Sequence, residues 1–266
     1  MVIVLCVLFS IICVLDGILF IIFLVKRHQR KKTLINQIDY MAKLTHDLRT
    51  PLCAIDGYAL LCKNVLDEPE KLSVYIDKIK RVSNQMMVLI NDSIDLSKVQ
   101  NKKEKEKEQK IDLNECLNLC IESIESQLEN KSISFIKHIQ IDHSTICTNE
   151  VYLKKIVLNL LSNALKYTPS DGTITLFVSE RRKGEEKSTY TFVIEDTGCG
   201  MSKEFQKHIF EPFAQEGKVE NTDVSSSGLG MHIVKQLVDL LQGSVRVESE
   251  QSVGTRFIVS LDFKLS

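Results

Sequence analysis

Tryptophan is absent from this 266-residue chain, and proline and glycine are scarce, with four and eleven residues respectively. This scarcity excludes a collagen-like or glycine-rich low-complexity chain. The formal net charge of −1 provides no basic surplus, so direct binding to nucleic acid is not expected. The eight cysteines form no CxxC pair and no Cys/His cluster at metal-ligand spacing. They are interpreted as small apolar residues in a reducing compartment.

One long hydrophobic run stands near the N-terminus. Residues 2–25 are almost wholly apolar, and roughly 20 such residues are enough for one membrane-spanning helix. No basic residue precedes the run, whereas five stand within residues 26–32, which disfavours a cleaved signal peptide. This asymmetry predicts a single-pass membrane protein with its N-terminus outside and its C-terminal side in the cytoplasm. Asp16 within the run either pairs with a partner helix or is a tolerated, protonated acid, and both interpretations stay open.

A heptad-like stripe follows the basic segment. Its apolar residues recur at alternating steps of four and three, a spacing typical of a narrow helix–helix interface. A second amphipathic run begins after the Asp-Glu-Pro-Glu turn at residues 67–70. Two antiparallel helices with one stripe each cannot bury both faces alone, so residues 26–100 are predicted to form a hairpin that dimerises into a four-helix bundle. The first stripe comprises Leu34, Ile38, Met41, Thr45, Leu48, Leu52, Ile55 and Ala59, and the second comprises Leu72, Ile76, Ile79, Val82, Met86, Leu89, Ile90, Ile94 and Leu96.

A mixed-charge run at residues 101–110, NKKEKEKEQK, is interpreted as a solvated linker. Beyond it, residues 111–266 predict an α+β two-layer domain, with helices packed on one face of a mixed sheet. Thr148 or Asn149 is the expected N-cap of a long helix, and Pro169 is its stop signal. Helices are expected at 113–129, 149–167 and 229–241, strands at 132–139, 173–180, 189–195, 244–250 and 255–263, a polar hairpin at 181–186, and a loop region at 196–228.

The long helix carries three polar residues on one face. Asn159, Asn163 and Lys166 lie at i, i+4 and i+7, opposite an apolar face. Amide oxygens can ligate a hard cation, and an ammonium group attracts phosphate. The pattern therefore indicates a site for a metal and a phosphate group.

Two glycine-containing segments indicate close approach of the backbone to a ligand. In Asp196-Thr197-Gly198-Cys199-Gly200, a carboxylate at a strand end can accept a hydrogen bond from a base amine. Gly228 and Gly230 stand where a later helix opens, and the free amides of a helix N-terminus can bind phosphate. Each segment alone is weak, and a structural turn explains either of them.

The order of these segments along the chain is more specific than any one of them. The segment His46-Asp47-Leu48-Arg49-Thr50-Pro51-Leu52 resembles the phosphoacceptor box of sensor histidine kinases. Residues 159–168, NLLSNALKYT, are similar to the asparagine box of that family, and the segments 196–200, 210–213 and 228–230 resemble its other nucleotide-binding boxes. The resemblance covers roughly residue 33 to the C-terminus and implies a Bergerat-type ATP-binding fold.

The resemblance also implies a function. The chain would be a homodimer anchored in a bacterial cell membrane, with its catalytic part in the cytoplasm. It would autophosphorylate on His46 with ATP and Mg²⁺ and pass the phosphoryl group to an aspartate of a separate response regulator. Asp47 would orient the imidazole and accept its proton, and Thr50 would position water for dephosphorylation of the regulator. Asn163 would bind Mg²⁺. The other implied ATP contacts are Asn159, Lys166, Tyr167, Asp196, Gly198, Gly200, Gly228, Gly230 and Thr255. Residues 214–227 would form a lid over the phosphates, and Lys218 within it would contact the γ-phosphate.

Two positions depart from the family pattern. Ser226 stands where a glycine is common, and Asn149 stands where an acid is common. The altered glycine loop, together with the short distance between the apolar run and His46, leaves a second hypothesis open: an ATP-binding regulator, phosphatase or dimeric scaffold without kinase activity. An ATPase of the wider fold superfamily is disfavoured, because such a protein has no use for the box around His46.

Overall fold

The computed structural model describes residues 41–100, 108–216 and 228–265, with residues 95–100 described by their backbone alone. The chain divides into two compact units, Met1–Met86 and Met87–Ser266. No helix within the described ranges is long and apolar enough to cross a membrane. The predicted span at residues 2–25 lies outside those ranges, as do residues 101–107 of the predicted linker.

The first unit contains a helical hairpin. Helix α1 covers residues 41–63, and helix α2, Pro69–Gln100, begins in this unit. Pro69 opens α2, where its missing N–H has no helical partner to lose. Tyr58 and Tyr75 stack between the two helices with ring centroids 6.3 Å apart, and Lys78 Nζ lies 5.4 Å from the Tyr58 centroid. The predicted pair of helices and the turn between them are confirmed.

The predicted apolar stripes are only partly covered within the hairpin. Leu48 and Ile55 are half-buried, whereas Met41 and Leu52 are 57% and 55% exposed. On α2, Ile76 is 51% exposed. One hairpin therefore leaves an apolar face of both helices open to solvent.

A seven-stranded sheet forms one layer of the second unit. Its strand order is β1-β3-β7-β5-β4-β2, with β6 also paired to β7, and β2 runs parallel to β4. The elements are β1 (Gln109–Asp112), α3 (Leu113–Asn130), β2 (Ser134–Gln140), β3 (Thr145–Thr148), α4 (Glu150–Tyr167), β4 (Thr173–Arg182), β5 (Lys187–Asp196), α5 (Lys203–Gln206), α6 (Gly230–Leu240), β6 (Ser244–Glu250) and β7 (Gly254–Leu265).

Alternate residues of the central strands form the core under the helices. On β4, Ile174, Leu176 and Val178 are fully buried, while the residues between them are not. Because successive side chains of a strand point to opposite faces, this alternation marks one covered face and one solvated face. Helix α4 contacts α3, α6 and β5, so the helices form the second layer. The predicted two-layer α+β arrangement is confirmed.

Some elements differ from those expected from the sequence. β1 and β3 were not predicted, since each is only four residues long and shows no sustained alternation. Gln109 and Lys110 belong to β1, although the predicted linker ran to residue 110. β4 and β5 extend further than predicted and pair as far as Arg182 with Ser188. A single helical turn, α5, stands within the expected loop, capped by the side chain of Ser202.

Helix α4 is held at both ends. At its N-terminus, Asn149 Oδ1 accepts a hydrogen bond from Tyr152 N at 3.0 Å, which confirms Asn149 as the cap. At its C-terminus, Lys131 Nζ donates to Leu165 O at 2.8 Å and to Thr168 O at 3.2 Å. These contacts hold both ends of α4 within the second unit.

Candidate functional site

A cavity of about 970 Å³ lies between α4, the segment after β5 and the start of α6. Val88 and Asp92 of the C-terminal part of α2 also border it. Gly198 does not line the cavity, and Lys218 lies outside the described residues. The structure brings together nine of the predicted ATP contacts in the lining: Asn159, Asn163, Lys166, Tyr167, Asp196, Gly200, Gly228, Gly230 and Thr255.

The polar face of α4 forms one wall of the cavity. Asn159, Asn163 and Lys166 are half-buried there, whereas the opposite face of the helix is buried in the core. Asn159 Nδ2 donates to Lys155 O at 2.8 Å, so its amide oxygen is left to face the start of α6. A Cβ on Gly230 would lie 2.9 Å from that oxygen, so a side chain at position 230 would require the Asn159 amide to shift.

Lys166 places a desolvated cation in the same wall. Burial lowers the pKa of its ammonium group. Its Nζ lies 5.0 Å from the centroid of the Tyr167 ring, within the range of a cation–π contact. The aromatic ring thus holds the lysine side chain on the cavity wall.

Asp196 supplies a buried carboxylate at the end of β5. Only 6% of this residue is exposed, and burial raises the pKa of the carboxyl to about 6. The N–H of Gly198 opposes that rise by donating to Oδ1 at 2.9 Å. A Cβ on Gly198 would lie 2.5 Å from Tyr167 O. Gly198 therefore brings its N–H to the carboxylate, a role different from the predicted close approach to the ligand.

The segment after Asp196 lies directly against the turn between β6 and β7. Gly200 has φ +64°, and a Cβ there would lie 1.8 Å from Glu250 O. Ser252 N donates to Cys199 O at 2.8 Å. Only glycine fits at position 200, because the conformation and the contact both exclude a side chain.

Sequence reasoning missed Ser249, which ties this turn to the cavity. Ser249 Oγ accepts from Met201 N at 2.9 Å and lies 2.9 Å from Thr255 Oγ1. It occupies an inward position of β6 and is 7% exposed. One sequence signal was available: Val245, Val247 and Ser249 alternate along β6, so a polar residue occupies a position that faces the core.

The segment around His46, predicted to be the phosphoacceptor box, lies on α1 in the first unit. The side chain of His46 is 76% exposed, and its Nδ1 lies 3.1 Å from Asp47 Oδ1. A hydrogen bond at Nδ1 selects the tautomer in which Nε2 carries a free lone pair toward solvent. Thr50, one helical turn later, is also exposed.

The residues of the cavity fit a magnesium ion that arrives with phosphate. Within the described ranges, no group of three or more His, Cys, Asp or Glu side chains could hold a metal alone. Mg²⁺ commonly uses one or two protein oxygens together with phosphate oxygens and water. Asn163 lies on the cavity wall, and its amide oxygen would supply one such ligand.

Two family models match the chain. The phospho-acceptor domain named His Kinase A matches residues 34–102, and the histidine kinase-, DNA gyrase B- and HSP90-like ATPase matches residues 148–265. The chain belongs to the two-component sensor histidine kinase family. The first model contains His46, and the second contains all the cavity residues that were predicted from the sequence.

Individual relatives agree with this assignment. The chain is 33% identical over 240 residues to the autoinducer 2 sensor kinase/phosphatase LuxQ of Vibrio parahaemolyticus. The matched region covers 90% of this chain and 28% of LuxQ. The crystal structure of full-length ShkA in complex with AMPPNP is 26% identical with a TM-score of 0.62, covering 86% of this chain and 46% of that one. Histidine kinase ThkA in complex with response regulator protein TrrA has a TM-score of 0.65 at 21% identity, covering 86% and 61%, and shares the fold.

The raised pKa of Asp196 predicts a pH-dependent stability. The unfolded chain loses this proton near pH 3.8, whereas the folded chain keeps it to about pH 6. The folded state therefore binds more protons between these values, and its stability falls as the pH rises through them. Relative to Asp196→Asn, the wild type should lose about 3 kcal/mol across this window, measured by urea unfolding of the ATP-binding unit.

Asp262→Asn is the matched control, because Lys183 donates to Asp262 and lowers the pKa of that carboxyl. Its contribution has the opposite sign, being lost as the pH falls. An unfolding free energy whose difference between wild type and Asp196→Asn stays constant from about pH 4 to 6.5 contradicts the prediction.

Proposed function

We propose that this chain is an ATP- and Mg²⁺-dependent protein-histidine kinase that phosphorylates His46 and then an aspartate of a response regulator. The main support is the cavity. Asn159, Asn163 and Lys166 lie on its α4 wall, and Asp196 lines it from the end of β5. An exposed histidine with a carboxylate on Nδ1 stands on the other unit of the same chain. An ATP-binding module and an exposed acceptor are the two components that such a kinase needs.

The proposed transfer uses both ring nitrogens of His46 and the carboxylate of Asp47. The lone pair of Nε2 attacks the γ-phosphorus, the bond to the β–γ bridging oxygen breaks, and ADP leaves. Asp47 accepts the hydrogen bond from Nδ1–H and takes that proton as positive charge develops on the ring, which leaves the phosphorylated imidazole neutral. On the other unit, the Lys166 ammonium and the Asn159 amide line the cavity and would contact the phosphates, and Asn163 would hold Mg²⁺. Bound Mg²⁺ supplies neutralisation of the phosphate charge.

In the recognition of the base, Asp196 accepts from the exocyclic amine of adenine. Tyr167 and Thr255 border the same cavity, and Gly200 and Gly230 keep the wall free of side chains. Gly198 acts one step behind the surface, by donating to the carboxylate. Gly228 and Gly230 frame the proposed lid over residues 214–227, and Lys218 within it is the proposed γ-phosphate contact.

Labelling with γ-labelled ATP and Mg²⁺ tests the assignment. The wild type should acquire acid-labile, base-stable label, and His46→Gln should acquire none, because its side chain cannot form a phosphoramidate bond. Asp47→Asn should label roughly 10²- to 10⁴-fold more slowly, the usual contribution of a catalytic acid or base. The label should then move to an added response regulator.

His208→Gln is the matched control, since His208 is also exposed and also pairs with a carboxylate, that of Glu211. It should label at the wild-type rate. Label in His46→Gln sinks the acceptor assignment. Nucleotide binding without any label favours the alternative, a phosphatase of the regulator; LuxQ is named a kinase/phosphatase. Under that alternative, Thr50→Ala abolishes dephosphorylation of the regulator.

We also propose that two chains form a four-helix bundle through the exposed face of α1 and α2. Leu52 and Ile76 are about half exposed in one hairpin, and a second copy would cover them. Leu52→Asp should raise the dissociation constant of the dimer at least about 10-fold, since burial of a leucine contributes roughly 1.5–3 kcal/mol. Light scattering after size exclusion measures it. Leu66→Asp is the control, because Leu66 is 67% exposed at the turn, off the stripe; equal dissociation in both variants contradicts the proposal.

Residues 2–25 are proposed as the membrane anchor, on the strength of their apolar composition and the basic residues that follow. The full chain should remain in the membrane fraction at high salt and alkaline pH and should be released by detergent. A variant that lacks residues 2–25 should be found in the supernatant. Release of the full chain by salt alone contradicts an integral anchor.

A further inference from the structure

The side-chain hydroxyl of Ser249 makes three hydrogen bonds within the second unit. Its Oγ accepts from Met201 N at 2.9 Å, donates to Gly254 O at 2.8 Å and lies 2.9 Å from Thr255 Oγ1. The residue is buried, with 7% exposed. Water therefore has little access to the hydroxyl and does not readily replace any of these three partners.

The donors and acceptors fix the direction of the third bond. A serine hydroxyl has one proton to donate and two lone pairs to accept with. Gly254 O is a carbonyl and can only accept, so the proton of Ser249 points to it. Met201 N–H uses one lone pair. The bond to Thr255 must then use the second lone pair, and Thr255 is the donor.

This direction determines what Thr255 offers to the cavity. Its only proton is directed at Ser249, so its oxygen presents lone pairs alone to a ligand. Asp196 lies opposite Thr255 in the β5–β7 ladder and also lines the cavity. Its carboxylate likewise accepts. This end of the cavity therefore carries two acceptors side by side.

We propose that Ser249 is a positioning residue for base specificity: by holding Thr255 as an acceptor, it makes the cavity select a 6-amino purine over a 6-oxo purine. The inference rests on the proposed nucleotide-binding function. A 6-amino group brings two N–H donors, one for each of the two acceptors. A 6-oxo purine brings a single donor, N1–H, and its 6-oxygen is a further acceptor that the remaining lone pair repels. Without Ser249, the Thr255 hydroxyl rotates and donates to the 6-oxo group.

The main chain at Ser249 has support that is independent of the side chain. Gln206 Nε2 and Lys203 Nζ donate to Ser249 O at 2.9 and 3.1 Å. The ladder between β6 and β7 also includes the pair Ser249 and Thr255. Removal of the hydroxyl therefore leaves the strand in register.

The test compares ADP with IDP, which differ only at purine position 6 and in the proton on N1. Titration calorimetry of the full chain in detergent gives both dissociation constants. In Ser249→Ala, the preference for ADP over IDP should fall roughly 3- to 10-fold, the factor of one neutral hydrogen bond. Ser249→Thr, which restores a hydroxyl, should recover the wild-type preference. Ser260→Ala is the matched control, since Ser260 lies on β7 with its hydroxyl 3.3 Å from Thr191 Oγ1, outside the cavity.

A double-mutant cycle separates this role from a loss of stability. If Ser249 acts through Thr255, then Ser249→Ala changes the ratio in the wild type but not in a Thr255→Val background. General damage lowers both affinities and leaves the ratio unchanged, which overturns the inference. A ratio that changes equally in both backgrounds also overturns it. A wild-type chain that binds neither nucleotide overturns the proposed function and this inference together, whereas binding of both with no preference overturns the inference alone.

Discussion

Burial of one face of α4 fixes where the other face points. Leu153, Val157 and Leu160 are wholly buried in the core of the second unit. Since residues four and seven apart share a face, this burial turns Asn159, Asn163 and Lys166 into the cavity. The same hydrophobic free energy that holds the sheet and helices together therefore also positions the polar groups. A helix with a weaker apolar face would leave their direction undetermined.

Two opposing effects act on the ionised form of Asp196: burial disfavours the charge, and backbone N–H donors favour it. Its raised pKa shows that the fold makes the charged form less favourable than water does. Close packing of glycine backbone brings N–H groups to the carboxyl. Gly198 packs against the carboxyl and donates to it, and Gly254 packs against the main-chain carbonyl of Asp196, beside Thr255, whose N–H also reaches the carboxyl. The cavity thus contains a group whose full hydrogen-bonding capacity is met only when a donor enters.

The sequence predicted the elements whose patterns are long and periodic. The hairpin helices, α3, α4, α6 and the central strands follow from apolar periodicity and capping residues. The family boxes located the polar face of α4, Asp196 and the glycines that line the cavity. β1 and β3 escaped because four residues carry too little periodicity to be distinguished from a loop. Ser249 and Met201 escaped for a different reason: their contact joins residues 48 positions apart, through a turn whose position depends on Gly200.

The role of Gly198 shows a related gap between motif and geometry. The spacing of glycines indicates that backbone passes close to something, but not to what. At Gly200 it is another turn of the same chain, and at Gly198 it is Tyr167 O and the Asp196 carboxylate. Only the tertiary arrangement assigns these partners.

Lys131 borders the cavity yet directs its ammonium at the end of α4, where Leu165 O, Lys166 O and Thr168 O lie 2.8, 3.4 and 3.2 Å away. An ammonium has three protons, so none remains for another acceptor. The last carbonyls of a helix together carry about half a negative charge. Lys131 cancels that charge from within the protein, and a polyanion approaching the cavity meets a helix terminus that no longer repels it.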